Sequence, residues 1–499
     1  MSIEIAKSVS KSVAILTGTQ IITYVSSFIL MIFLPRYLGP EEYGRLYLGI
    51  SMTGIFTIFV ELGCRYSIAK AVSRDHKNAA SILVNSVGIR FFFWLASFAT
   101  LMIIAQFLRY SDEVKTIMFI LGIGILWSGL REVLRSFFQG LEKMEYPSYA
   151  AIVDRVFMTT AGVTALLLGA KAVVIAVVMV AAEILYFIVS ARFAKRLLPA
   201  LPKIDWKASV AMVKDGMPYF LQSIFGFIYY RIDTVMLSLM APVATLGWYG
   251  ASYKFFDTLM FVPNIYSIAV FPVLSRLWRK DNMTVSRILQ KSLQYILMIG
   301  IPISVATFLF ARQIIQYLYG LAGYEPSVLL LQIFAVGLIL LYIDWVLCAV
   351  VVASDKQKQL SINAFIAIFL NIGLNYFMIP YAQTHFNNGA IGSAVATLLT
   401  EVFIMVAMFA ILPKDISSRV DIVVYVKTAA AGFAMVGSIM LFRAVGIHWI
   451  AQAIVSPFVY LGSLLWMKTF EPGELSFAKS MLTSQNLKRM IVPEKGVSI

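Results

Sequence analysis

Cysteine and histidine are nearly missing from this chain, which has two of the first and three of the second in 499 residues. Cys64 and Cys348 both sit in apolar runs, so neither a disulfide framework nor a CxxC metal motif is expected. His76, His385 and His448 are scattered through connecting segments without ligand spacing. No metal site, no cofactor and no histidine-based catalytic centre is therefore expected. Charge is scarce too, at 13% of residues against about 25% in a soluble domain. Polar linkers of the kind that part soluble domains do not appear. With 60% hydrophobic residues and a mean hydropathy of +0.83, the composition excludes an ordinary water-soluble protein.

Apolar runs of about 20 residues fill the chain instead, the length that crosses about 30 Å of hydrocarbon as a helix. Hydropathy places spans near 13–34, 44–66, 79–106, 115–138, 148–170, 172–194 and 217–240. Further spans fall near 247–274, 287–310, 327–352, 361–380, 389–412, 423–445 and 447–467. The first is about 22 residues long with no small-x-small site after it, and reads as a retained span rather than a cleaved signal. The expected fold is an all-α integral membrane protein with about 14 transmembrane helices.

Lysine and arginine outnumber acids 41 to 26, a net charge of +15. Their placement explains the excess. About 28 of them, counting Arg131 and Arg135, fall in one set of connections; the alternate set holds Arg36, Arg109, Lys115, Lys171, Arg312 and Arg443. Positive charge collects on the cytoplasmic side, so both termini are expected in the cytoplasm of a multi-pass cell-membrane protein, and nucleic acid is not an expected partner. Segments 195–216 and 470–491 are basic and amphipathic, as in helices lying at a membrane interface.

A repeat is visible. Pro40, Gly44 and Tyr47 precede a long span that ends Val72-Ser73-Arg74. Pro242, Gly247 and Tyr249 precede another that ends Leu274-Ser275-Arg276. A six-span unit returns the chain to its starting side, so two such units run parallel and are expected to enclose a cavity. The expected divisions are an N-terminal lobe at 1–200, a linker and C-terminal lobe at 201–412, and two further spans with a tail at 413–499.

The stretch Arg36-Tyr37-Leu38-Gly39-Pro40-Glu41-Glu42-Tyr43-Gly44, followed by Glu61-Leu62-Gly63, resembles the start of Wzx-type polysaccharide flippases. Gly140-Leu141-Glu142-Lys143, Tyr230-Arg231-Ile232-Asp233-Thr234, Phe261-Val262-Pro263-Asn264 and Phe271-Pro272 fit the same pattern in order. These flippases belong to the multidrug/oligosaccharidyl-lipid/polysaccharide exporter superfamily. The resemblance implies a V of two six-helix lobes with two added helices and a cationic cavity. It also implies a lipid-linked oligosaccharide substrate, carried on polyprenyl pyrophosphate from the cytoplasmic to the outer leaflet; with no large outer loop, catalytic histidine or metal-ligand cluster in the sequence, enzymatic activity is not expected.

An ionisable group inside a membrane costs at least about 2.5–3.5 kcal/mol, so each should face a cavity or a partner. The bases within spans are Arg65, Arg90, Arg155, Arg231 and Lys254; the acids are Glu61, Asp154, Glu183, Asp233, Asp257, Asp344 and Glu401. Arg90 lies near the midplane by depth, and Arg231 and Lys254 lie in the outer half of adjacent spans beside Tyr230 and Tyr253. Together with Arg65 these are the candidate pyrophosphate and sugar contacts, because guanidinium holds phosphate bidentately and rings stack on sugars. The acids and Arg155 are candidates for charge pairing or for carrying a coupling proton or sodium ion. Asn363, Asn371 and Asn375 point to hydrogen bonding between helices. Two rival functions remain: a cation-coupled drug or metabolite exporter of the same superfamily, and a membrane glycan polymerase or ligase.

Overall fold

The structure is a computed structural model and describes residues 2–198, 202–413, 416, 422–470 and 473. The tail at 470–491 lies almost wholly outside these residues. Among them the chain forms seventeen helices. The first nine are α1 (Ser2–Glu61), α2 (Cys64–Arg74), α3 (Ala79–Phe107), α4 (Asp112–Gly140), α5 (Glu145–Leu167), α6 (Ala172–Leu197), α7 (Trp206–Met240), α8 (Val243–Leu259) and α9 (Phe261–Leu277). After these come α10 (Asn282–Leu309), α11 (Ala311–Leu318), α12 (Leu321–Tyr324), α13 (Ser327–Ala353), α14 (Gln357–Phe386), α15 (Gly389–Ile411), α16 (Ile422–Ala444) and α17 (Trp449–Trp466).

Twelve helical stretches are long and apolar enough to cross a membrane. One of them, Gly18–Glu61, carries two of the sequence spans. Its 60-residue parent helix α1 is broken at Gly39, which has φ 74° and ψ 170° between Pro35 and Pro40. Proline removes a helical donor and glycine tolerates this backbone, so the break falls where the sequence has its first short connection. The span at 217–240 is carried by α7, outside those twelve. Each of the fourteen apolar runs is thus helical, although 44–66 is divided between α1 and α2 and 247–274 between α8 and α9.

Two features depart from the sequence reading. Residues 206–216 do not form a separate interfacial helix but are the first turns of α7. Asp205 caps that helix, its side chain accepting from the Lys207 and Ala208 N–H groups. Asn85 Oδ1 accepts from the Asp205 N–H at 2.7 Å, which ties the start of α7 to α3. The second span also stops early. Leu62 (φ 48°) and Gly63 (φ 62°) are left-handed, so α1 ends at Glu61 and the chain restarts as α2.

By contacts the chain divides into two compact units. The first comprises Met1–Phe261, Ala311–Gly337 and Asp355–Ile411. Its core includes a layer in which Leu46, Ile117, Leu166, Ile175 and Ala176 are buried together. Glu42 Oε2 accepts from the Ala172 N–H at 3.0 Å, so a residue of α1 caps the N-terminus of α6. The second unit comprises Val262–Phe310, Leu338–Ser354 and Leu412–Ile499. There Gly300 of α10 lies against the Tyr342 ring, and Arg443 Nη2 of α16 donates to the Leu309 carbonyl at 3.1 Å. Asp281 caps α10, and donation from the side chain and N–H of Thr284 holds its carboxyl below the usual range.

The two halves of the sequence repeat meet through their own motif. A Cβ at Gly44 would stand 2.3 Å from the Val243 carbonyl oxygen, and one at Gly247 would stand 2.0 Å from the Pro40 carbonyl oxygen. The contact is reciprocal, as a two-fold relation between the repeats requires. Only glycine lets the two backbones approach this closely.

Candidate functional site

A cavity of about 350 Å³ opens within the first unit. It is walled by α1, α4, α5, α6, α7 and α8. Of the candidate residues it gathers Asp154, Arg155, Glu183, Tyr230, Arg231, Tyr253, Lys254 and Asp257. Tyr43 and Tyr47 add two more rings, and Thr53, Thr57 and Ser128 add hydroxyls.

The charges lie in two groups. In the first, Lys254 Nζ stands 3.5 Å from Asp257 Oδ2, and the Tyr230 hydroxyl donates to Asp257 Oδ1. Arg231 lies with its guanidinium carbon 5.1 Å from the Tyr230 ring centre and has no carboxylate within ion-pair distance among the described residues. Gly54 of α1 faces the Arg231 Nε at 3.9 Å from where a Cβ would be. Asp233, two residues on, points elsewhere: it is buried and accepts from Asn375 Nδ2 at 2.7 Å, Thr397 Oγ1 at 2.7 Å and the Tyr249 hydroxyl at 3.3 Å. Residues two apart on a helix face different directions, and here they do.

The second group contains a base that the charge count set among the cytoplasmic connections although it falls within the 115–138 span. Arg131 lies inside α4, nine residues before its end, and its Nη1 is 3.1 Å and 3.2 Å from the Glu183 oxygens and 3.5 Å from Asp154 Oδ2. Its guanidinium also sits 4.2 Å above the Tyr186 ring. Arg155 Nε approaches Asp154 Oδ2 at 3.5 Å. Glu183, which has no base near it in sequence, is thus paired across helices.

The remaining candidates lie away from the cavity lining. Arg90 is only 1% exposed, and its Nη1 donates to the Val60 carbonyl. Val60 is in the last turn of α1, where carbonyls lack helical donors, so the arginine closes the helix end left by the Leu62–Gly63 break. Arg65 pairs with Glu132 at 2.9 Å, and Glu61 ends α1 nearby. Glu401 is buried and accepts from the Tyr229 hydroxyl at 2.7 Å. Asp344 is buried in the second unit. Asn371 and Asn375 bond to Thr400 and Asp233, on α15 and α7, as the sequence suggested.

Many helices able to span a membrane, six of them around a cavity with charged and hydroxyl-bearing groups set in a largely apolar wall, define a polytopic membrane protein with an internal cavity. The polysaccharide biosynthesis protein family model matches residues 9–278, more than half of the chain, and the MatE family model matches residues 218–377. The chain belongs to the polysaccharide biosynthesis protein family, within the multidrug/oligosaccharidyl-lipid/polysaccharide superfamily. Stage V sporulation protein B of Bacillus subtilis (strain 168) is 22% identical over 466 residues, covering 85% of this chain and 87% of that protein. The probable flippase AglR of Haloferax volcanii is 28% identical over 199 residues, 38% of this chain and 39% of its own length. Among solved structures, the lipid II flippase MurJ in its inward closed conformation shares the fold with a TM-score of 0.71 at 15% identity, covering 92% of this chain and 98% of that one. An inward-facing multidrug resistance MATE transporter gives 0.64 at 13% identity, over 78% and 94%.

Proposed function

We propose that this protein flips a polyprenyl-pyrophosphate-linked oligosaccharide from the cytoplasmic to the outer leaflet of the cell membrane, for surface polysaccharide biosynthesis. The observation that carries this reading is Arg231, a cavity guanidinium without a carboxylate partner among the described residues, beside Lys254 and a cluster of tyrosine rings. A pyrophosphate must be neutralised to enter a low-dielectric region, and an unpaired guanidinium plus a nearby ammonium can do this. Tyr230 and Tyr253 offer ring faces to sugars. Movement is by alternating access between the lobes at 1–200 and 201–412, with both termini cytoplasmic. Mass spectrometry of lipid copurifying with the protein tests the reading. A glycan on a polyprenyl pyrophosphate is the expected result; a preparation carrying only bulk phospholipid would count against it.

A second reading, cation-coupled export, is favoured by one cluster. Asp233 is buried among neutral oxygen- and amide-bearing side chains of Asn371, Asn375, Thr397 and Tyr249, with no base at ion-pair distance among the described residues. A buried carboxylate in such surroundings suits the proton or sodium ion that cation-coupled export requires. Dependence of transport on a sodium or pH gradient, lost in Asp233→Asn, would identify the coupling.

Orientation has a simple check on α14. Lys358 and Asn387 are exposed at its opposite ends. A cysteine at Lys358 should react with impermeant thiol reagent only from the cytoplasmic side, and one at Asn387 only from outside. Labelling of both from one side would overturn the even-span topology. Ser209 is unsuitable as a reporter because it is fully buried, its hydroxyl bonded to the Asn85 carbonyl at 3.3 Å.

A further inference from the structure

We propose that Asp154, Arg155 and Glu183, held by Arg131, form the part of the cavity that reads the glycan of the substrate, separate from the phosphate contacts at Arg231 and Lys254. This rests on the lipid-linked glycan reading above and adds which end of the head group lies where.

Charge balance is the first argument. The four residues are two bases and two acids linked in a chain, with Arg131 Nη1 shared between Glu183 at 3.1 Å and Asp154 at 3.5 Å and Arg155 on Asp154 at 3.5 Å. Such a group has no net charge to offer a phosphate. What it offers is carboxylate oxygens and guanidinium N–H groups side by side. A sugar hydroxyl both donates and accepts, so it is satisfied by that pairing and by little else in an apolar wall. Hydroxyls of Ser27, Ser128, Thr53 and Thr57 line the same cavity and extend the choice of partners.

Rigidity is the second. Arg131 is not itself a lining residue; it is a positioning residue, stacked 4.2 Å over Tyr186 and bonded to both acids. Asp154 has a side chain only 4% exposed, while Glu183 and Arg155 are 27% and 32% exposed. Glu183 and Arg155 are therefore fixed from behind and open in front, with Asp154 holding Arg155 from within the wall. Fixed donors and acceptors distinguish one arrangement of hydroxyls from another, because a mismatched sugar leaves a buried polar group unpaired.

Depth is the third. Asp154 lies nine residues into α5, about 14 Å from that helix's start. Arg231 lies nine residues before the end of α7, also about 14 Å from its terminus. In the proposed topology α5 starts at the cytoplasmic face and α7 ends at the outer one, so in a layer about 30 Å thick both charged groups lie near its middle, one on α5 and α6 and the other on α7 and α8 of the same cavity wall. A pyrophosphate at one group and the first sugar attached to it at the other can then be held at the same level.

Binding to the full-length protein in nanodiscs separates the roles. The probes are undecaprenyl pyrophosphate alone and the same lipid carrying an N-acetylhexosamine or a hexose. At least one glycosylated probe should bind wild type about tenfold more tightly than the bare lipid. Glu183→Gln and Arg155→Gln should abolish that preference while bare-lipid affinity stays within about twofold. Should Glu183→Gln not give monodisperse protein, the charge-balanced pair Arg131→Met with Glu183→Met should show the same pattern. An equal loss for bare and glycosylated probes, or a preference that persists in the variants, would overturn the glycan site. So would wild type that binds bare lipid but prefers no glycosylated form. Wild type that binds none of the probes would instead remove the flippase reading on which the site rests.

Discussion

Gly247→Ala is expected to reduce transport at least about tenfold while leaving the protein abundant and monodisperse. The added methyl would stand 2.0 Å from the Pro40 carbonyl oxygen and 2.7 Å from its carbon. A flexible side chain could swing away from such an intrusion, but a backbone carbonyl inside a helix crossing cannot. Overpacking of this kind costs about 1–3 kcal/mol, and about 1.4 kcal/mol already shifts a two-state equilibrium tenfold. Relief comes from separating the crossing between the first turns after Pro40 and after Pro242. In the proposed topology that crossing lies at the outer end of the cavity, so the variant should spend more time open to the outside. A cysteine at Thr57, which lines the cavity, should then be labelled from outside faster in Gly247→Ala than in wild type. Gly44→Ala, facing the Val243 carbonyl oxygen at 2.3 Å, should behave the same way. Normal transport and unchanged labelling in both variants would show that the close approach is not a closing seam. Gly437, which has open space around it, is the matched control: Gly437→Ala should have no effect.

Those two glycines were visible in the sequence as a repeated spacing, but their meaning was not, because nothing in a spacing says that one copy packs on the other. The spans themselves were legible for a plain reason: a membrane helix needs a minimum apolar length, and that length can be read directly. The left-handed Leu62 could not be read, since leucine gives no turn signal and only its neighbour Gly63 hints at a break. Once the break exists, it changes the role of Arg90. Depth alone put that residue near the midplane, but depth does not tell which way a side chain faces, and Arg90 turns to the helix end at Val60. Arg131 shows the opposite difficulty. Its partners Asp154 and Glu183 lie 23 and 52 residues away, beyond any local pattern, and its nearness to the polar end of α4 made it look like a loop residue. By contrast, the separation of Arg231 from Asp233 followed from helix geometry before any coordinates were needed.

That separation sets up the other large effect. Arg231→Ala should abolish transport, by about a hundredfold or more, with insertion and abundance nearly normal. A charge-assisted contact of the kind proposed contributes about 1.5–3 kcal/mol, and 3 kcal/mol corresponds to about two powers of ten. Arg231→Lys should recover only part of the activity, because an ammonium keeps the charge but cannot form the bidentate fork. The competing explanation is that Arg231 serves only to neutralise Asp233. Geometry speaks against it: the Asp233 oxygens are taken up by Asn375, Thr397 and Tyr249, while Arg231 faces the cavity beside the Tyr230 ring. The double variant Arg231→Ala with Asp233→Ala decides between them. If the arginine only balanced the aspartate, removing both would restore the affinity for undecaprenyl pyrophosphate. If it holds the substrate's phosphate, the double variant stays inactive although folded, and its affinity for undecaprenyl pyrophosphate falls as far as that of Arg231→Ala alone. Asp233→Ala by itself should leave that affinity intact, since its own partners are not cavity-lining residues.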